Sequence, residues 1–319
     1  MCKLIGIGEA LIDMIPTETD KPIRSVAAFM PIVGGAPANV CGAFSKLSGQ
    51  SQMITQLGND PFGEKIIETF LSFNIGCEYI QRTDEANTAL AFVALQSDGN
   101  REFSFYRKPS ADMLLSAEQI QENWFEGAFA LHMCSVSLGN FPMKEAHKKA
   151  ISFAKSKGAL VSFDPNLRFN LWPTKEALKE AVVEFLPYAD VLKVSDEELE
   201  FITGIKDEEE AIKSLFKGDV KLVVYTKGAD GACAYTKSET AKSNGVKVDA
   251  LDTTGAGDAF IGSFLYSLSE KLGDDKRIED LTEADLKEML DFSNLYCAKS
   301  VMKNGAIESY PSLNDMSEE

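Results

Sequence analysis

The sequence predicts an α/β protein built on a doubly wound, mostly parallel sheet that carries a small β-rich lid. Two observations predict it. Short apolar runs alternate with longer stretches whose apolar residues recur at helical spacing, the pattern of βαβ units. One pair of β-rich runs, 88–95 (TALAFVAL) and 102–107 (EFSFYR), breaks that rhythm because no helix-length crossover separates them. Composition agrees: 319 residues allow one large α/β domain or two modest ones, and 45% hydrophobic with 25% charged residues excludes extensive disorder.

Residues 4–8 (LIGIG) are the first strand, and 35–47 form a helix that starts after paired glycines. Residues 52–57 are extended; 62–73 form a helix with Ile66, Ile67, Phe70 and Leu71 at helical spacing. Strands at 129–134, 159–163, 191–194 and 221–226 alternate with helices at 144–157, 175–186, 196–202 and 208–216. A short strand at 246–250 leads to closing helices at 257–272 and 282–303. The hairpin turns through Gln96–Arg101 with an Asp98-Gly99 signal and projects from the main sheet, with 26–33 as its pairing partner. There is no Pro-, Gly- or Ser-rich linker and no internal repeat. The chain reads as one domain, 1–319, with lid segments inserted at about 14–33 and 86–109.

A net charge of −17 argues against nucleic acid or an anionic membrane as partner. It leaves a phosphate ligand open, because local N–H groups and one or two cations outweigh a distant background. Six cysteines (Cys2, Cys41, Cys77, Cys134, Cys233, Cys297) show no CxxC pair and read as reduced thiols. Only His132 and His147 are present, which disfavours a histidine metal centre. No apolar run approaches the roughly 20 residues that span a bilayer, and no signal-peptide core follows Met1. The expectation is a soluble cytoplasmic protein.

Two glycine patterns are decoys. Gly6-Ile7-Gly8 opens like a dinucleotide fingerprint, but Leu11 stands where the third glycine belongs. Residues 58–65 (GNDPFGEK) imitate a P-loop with one residue inserted, and Pro61 removes an N–H from the cradle.

The chemistry concentrates at Asp252-Thr253-Thr254-Gly255-Ala256-Gly257-Asp258, just where a helix begins. Small residues at 255–257 admit close backbone approach, and unpaired N–H groups with the macrodipole make an anion site. Asp258 in that first turn suits a general base accepting a proton from a hydroxyl. An N-capping Asp beside turn glycines is the competing reading of the same residues.

This loop resembles the C-terminal signature of the ribokinase (PfkB) family of carbohydrate kinases. Gly34-Gly35-Ala36-Pro37-Ala38-Asn39-Val40, followed by 58–63, resembles its N-terminal signature, and the likeness runs nearly end to end, through Asp13 and Gly305-Ala306. The resemblance implies a Rossmann-like core of ribokinase type, a β-lid, and phosphorylation of a sugar hydroxyl by ATP with Mg²⁺. It implies Asp258 as base and Gly255, Ala256 and Gly257 as anion hole. The sugar would lie against Asp13, Gly34, Gly35 and Asn39. Thr226, Lys227, Gly228 and Gly231 match the nucleotide loop, with Asn294 near the base or ribose, and Lys193 within reach of phosphate. Where the family has NxxE, this chain has Ser195 and Glu198, so magnesium-bound water would fall to Glu198 with Ser195 in place of Asn. Asp252, Thr254, Ser300, Gly305 and Ser309 match positions that hold a monovalent cation such as K⁺ in relatives.

The segments 105–114 and 164–168 (DPNLR) resemble the fructokinase branch, which points to D-fructose, with Arg107, Asn166 and Arg168 added to the substrate site. The alternatives are a 2-keto-3-deoxygluconate kinase, which would set an arginine on a carboxylate, or a ribokinase. A non-catalytic sugar sensor sits poorly with an intact Asp258, and a dinucleotide oxidoreductase with the incomplete fingerprint. Exposed lid strands would suit a homodimer.

Overall fold

In the computed structural model, which describes residues 2–95, 101–273 and 276–317, β1 (Lys3–Ile7) runs into β2 (Leu11–Pro16). The chain returns along β3 (Phe29–Gly34) to α1 (Ala36–Lys46). Next come β4 (Gln50–Ile54), β5 (Gln56–Gly58), α2 (Pro61–Ser72), β6 (Ile75–Gly76) and β7 (Gln81–Thr83). The pair β8 (Ala89–Leu95) and β9 (Arg101–Tyr106) follows. The regular part alternates β10 (Ala128–Cys134), α3 (Pro142–Ser156), β11 (Leu160–Asp164), α4 (Lys175–Phe185) and β12 (Val191–Ser195). It continues through α5 (Asp196–Thr203), α6 (Glu208–Ser214) and β13 (Leu222–Thr226). A hairpin of β14 (Ala232–Tyr235) and β15 (Thr240–Ser243) precedes α7 (Ala256–Leu272), α8 (Glu283–Val301) and the short α9 (Leu313–Ser317).

Among the described residues, nine strands form the main sheet in the order β15-β14-β13-β12-β11-β10-β1-β4-β6. Pairing is parallel from β6 across to β13 and antiparallel only at the β14–β15 edge. Both faces are covered, so the central strands are apolar at nearly every position. Leu192 and Val194 pack toward α3–α6, while Val191 packs toward α7 and α8. Each such side chain contributes about 1.5–3 kcal/mol by burial. Lys193 interrupts that run, and a buried lysine in a parallel sheet requires a partner. Strand order reverses direction between β1 and β10, the switch point outside whose carboxyl ends ligands bind in open α/β sheets.

A second sheet, β3-β2-β8-β9, stands over those ends. Here the structure differs from expectation. Residues 11–16 are a strand absent from the elements expected from sequence, so Asp13 lies within the small sheet, and the 26–33 run pairs with β2, which separates it from the hairpin. Residues 246–250 form no strand, although Val246, Val248 and Ala250 alternate like one; they cross a cavity as irregular backbone. The Asp98-Gly99 turn lies outside the described residues. No helix among the described residues is long and apolar enough to cross a membrane.

Candidate active site

Gly255 caps the start of α7, and its φ of 71° lies in the left-handed region open to glycine. Asp252 holds the loop before it, accepting from Thr254 N (2.9 Å), Thr254 Oγ1 (2.6 Å) and Gly305 N (3.0 Å). Tyr310 Oη donates to Gly255 O at 2.9 Å from the other side. Ala256 N donates to Thr253 O at 3.2 Å, and the first turn of α7 presents the positive end of its dipole. Lys193 Nζ lies 3.3 Å from where a Gly257 side chain would begin. It donates to Asp164 Oδ2 at 2.8 Å. Burial pulls this ammonium down, but Asp164, Glu198 and Asp258 outweigh it and hold it charged above the ordinary lysine range.

Asp258 follows in the same turn and is buried. Its Oδ2 accepts from Asn39 Nδ2 at 2.8 Å and its Oδ1 from Asn166 Nδ2 at 3.3 Å. Burial raises its pKa, offset by the Asn39 bond and the Arg168 and Lys193 charges. Helix packing delivers Asn39. α1 crosses α7 at Gly262, where a Cβ would sit 2.6 Å from Ala43 Cβ and 2.9 Å from Val40 O, so only glycine allows that approach. Asn39 Oδ1 is buried without a protein partner, an acceptor that a ligand hydroxyl can satisfy.

The polar wall continues onto the small sheet. Asp13 on β2 occupies the space beside Gly34, where a Cβ would come 2.3 Å from Asp13 Oδ2, and Gly35 follows at the entry to α1. Arg107 is buried, not solvent-facing. Its Nε donates to Asp112 Oδ2 at 3.0 Å and its Nη1 to Val136 O at 3.3 Å, with Nη2 paired to the same carboxylate at 2.5 Å. Glu9, also buried, accepts from Ser137 Oγ at 3.0 Å; burial pushes its carboxyl up against the pull of Arg107. Arg168 is exposed, its guanidinium donating to Leu167 O at 3.1 Å. Glu198 accepts from Leu167 N (2.8 Å) and Ser195 N (2.9 Å), forming a capping box with Ser195 at the start of α5.

Beyond the anion loop lies a cavity of about 580 Å³, lined by Thr226, Gly228, Gly231, Gly257 and Asn294. Sequence reasoning missed its apolar wall: Val246, Val248, Phe260, Ala298 and Val301. A signal for it exists, since Asn294, Cys297, Ala298 and Val301 fall at i, i+3, i+4 and i+7 on α8. Asn294 Nδ2 donates to Ser243 Oγ (2.9 Å) and Asn244 O (3.2 Å), pinning the floor of the cavity to β15. Lys227 does not join this wall. Its ammonium bonds Glu208 at 2.7 Å and sits over the Tyr225 ring. Ser300 and Ser309 donate inward, to Cys297 O (2.7 Å) and Ala306 O (2.8 Å).

Both decoys have structural explanations. The Gly6-Ile7-Gly8 strand runs into β2 and not into a helix, and Asp60 caps α2 through Phe62 N and Gly63 N. Among the described residues no group of three or more His, Cys, Asp or Glu is arranged to hold a metal.

The family model for pfkB family carbohydrate kinases matches residues 1–313. "Probable fructokinase-4" of Arabidopsis thaliana is 42% identical over 315 residues, covering 98% of this chain and 95% of that protein. A fructokinase with bound ATP from Xylella fastidiosa superposes with a TM-score of 0.90 at 34% identity, covering 99% of this chain and 97% of the other. A double-mutant fructokinase from Vibrio cholerae O395, in a fructose, ADP and potassium ion bound form, gives 0.87 at 33% identity, covering 99% and 97%. With both signatures assembled around one buried carboxylate at a helix N-terminus, this chain is a carbohydrate kinase and belongs to the pfkB family.

Proposed function

We propose that the chain transfers the γ-phosphoryl group of ATP to the primary 6-hydroxyl of D-fructose, giving fructose 6-phosphate and ADP. The carrying observation is Asp258, buried at the N-terminus of α7 between a polar cradle and the 580 Å³ cavity, with Asn39 and Asn166 on its two oxygens. The hydroxyl gives its proton to Asp258 as its oxygen bonds the γ-phosphorus. The bond from that phosphorus to the bridging oxygen breaks, and its electrons leave with ADP. N–H groups at Gly255, Ala256 and Gly257, with Lys193, hold the charge that develops on the transferring group. Asp13, Gly34, Gly35, Asn39, Asn166 and Arg168 orient the sugar; Thr226, Gly228, Gly231 and Asn294 seat the nucleotide.

Magnesium, carried on the nucleotide phosphates, would neutralise their charge. Glu198 fits a metal-bound water, because each oxygen accepts one backbone N–H and keeps a lone pair. The oxygen-rich loop at Asp252, Thr254, Ser300, Gly305 and Ser309 suits K⁺, and the potassium-bound Vibrio relative supports that reading. Exposed Met30 and Tyr106 on the outer strands β3 and β9 support a homodimer through the lid. Six cysteines, all free, support a reducing cytoplasmic setting.

The acid-sugar alternative is disfavoured by Arg107, whose charge is already met by Asp112 with Glu9 nearby. A substrate carboxylate would have to displace a buried partner. The test is ADP release across a sugar panel with Mg²⁺, with and without K⁺. Fructose should give the highest kcat/KM. A higher value for 2-keto-3-deoxygluconate, or no sugar dependence, would overturn the assignment.

A further inference from the structure

Asp164 ends β11 with 1% of its surface exposed, and its two oxygens reach opposite sides of the site. Oδ2 accepts from Lys193 Nζ at 2.8 Å, within a pair whose side chains are 1% and 7% exposed. Oδ1 accepts from Asn166 N at 3.2 Å, closing an Asx turn that holds Asn166 at a φ of 44°. From that left-handed position the Asn166 amide reaches Asp258 Oδ1 at 3.3 Å. A buried ion pair is weak evidence of a stabilising role, since well-packed apolar residues usually serve a fold as well or better. Val191, Leu192 and Val194 around Lys193, and Val161 and Phe163 before Asp164, are such residues. Lys193 and Asp164 are the charges of this pair of strands that lie toward the first turn of α7, where Lys193 Nζ comes 3.3 Å from a Gly257 Cβ position.

We propose that Asp164 is a positioning residue for phosphoryl transfer: one carboxylate sets the Lys193 ammonium beside Gly257 and, through the Asn166 turn, sets the amide that orients Asp258. The inference rests on the roles given above to Asp258 and Lys193. It explains why a costly pair sits here, since a reacting group misplaced by about 1 Å loses roughly 10²-fold in rate.

Asp164→Asn keeps an acceptor for Asn166 N and removes the charge that holds Lys193. Turnover should fall roughly 10²-fold, while the sugar KM stays within about twofold, because Asp13 and Asn39 are untouched. A folded Asp164→Asn with turnover within about threefold of the parent overturns the proposal. The double variant Asp164→Leu/Lys193→Met removes both charges and should melt at or above the parent; a midpoint well below the parent would show the pair to be held for stability and overturn the proposal. The double variant's turnover should also fall by roughly 10²-fold or more; parental turnover from a well-folded apolar pair would show the residues to be structural only. All values are ratios to the parent on whichever sugar it phosphorylates. A wrong sugar assignment therefore shows in the parent's own panel and leaves this test intact.

Discussion

Val246, Val248, Ala298 and Val301 wall one half of the cleft; Asn39, Asp164, Asn166 and Lys193 wall the other, and both halves meet at the first turn of α7. The half proposed for the nucleotide relies on apolar surface, small residues and backbone, with the Lys227 side chain turned away to Glu208. Such surface gives affinity in proportion to area and little direction. The transfer half buries Asp258, Asp164 and Lys193 among other charged groups and gives each of the three a partner, at a cost that burial alone would not justify. Substitutions in the first half should therefore register in nucleotide KM, and those in the second in kcat.

Asp258→Asn tests that division most severely. Turnover should fall about 10²–10⁴-fold or more, with sugar and nucleotide affinities nearly unchanged. Stability should move the other way. Burial raises the Asp258 pKa in the folded state, so its ionised form costs folding free energy at all pH above the ordinary carboxylate range. A neutral Asn removes that cost at pH 7, and Asn39 can turn its unpartnered Oδ1 toward the new amide. Thermal melting at pH 7 should show an unchanged or higher midpoint; retained turnover would make Asp258 structural.

Gly257→Val probes the seam between the halves. A side chain there begins 3.3 Å from Lys193 Nζ, in the space that the proposed mechanism gives to the γ-phosphate. Loss of roughly 10²–10³-fold in kcat with sugar affinity intact, measured by steady-state kinetics and sugar titration, is expected. An unaffected rate would remove the anion hole from the mechanism.

The Asp258 loop was legible in the sequence because its chemistry is contiguous: glycines, a carboxylate and a helix start within seven residues. The parallel alternation was legible for the same local reason. What stayed hidden depends on pairs joined by the fold. Asn39 meets Asp258 across 219 residues of chain, and Asp164 meets Lys193 only because β11 and β12 lie side by side. Arg107 shows the limit clearly, since nothing in the local sequence pattern announces its buried pairing with Asp112. The 246–250 run failed for the opposite reason. Its alternation is real, but the inward residues face a cavity and no strand lies alongside.

Asn294→Ala sharpens the comparison from the nucleotide side. It deletes the bonds to Ser243 and Asn244 that hold α8 against β15. At about 1 kcal/mol for such a bond, the KM for ATP should rise roughly 3–10-fold while kcat stays within about twofold. A kcat loss without a change in KM would mean that the two halves are not separable.

The smallest expected effect separates the halves by pH. In the transfer half, burial raises the Asp258 carboxyl above its ordinary range and pushes Asp164 to about 7 against the pull of Lys193. A base works only when ionised, so a raised pKa moves the acid limb of the rate profile toward neutrality. Cys297, the one thiol in the nucleotide wall, is pushed up to about 11 by burial and stays neutral below that. Adenosine carries no phosphate to titrate, so its affinity should be flat from about pH 5.5 to 8.5, as expected for an apolar wall. Over the same range kcat should fall as the pH drops, with its acid limb displaced upward from the ordinary carboxylate range because burial raises the Asp258 carboxyl. Protonation there stabilises the fold, because a carboxyl with a raised folded-state pKa binds its proton more tightly in the native state. The lost turnover should therefore return fully on raising the pH. Adenosine binding that weakens in step with turnover would show that acid disturbs the whole cleft, and the assignment of the acid limb to Asp258 would fall with it.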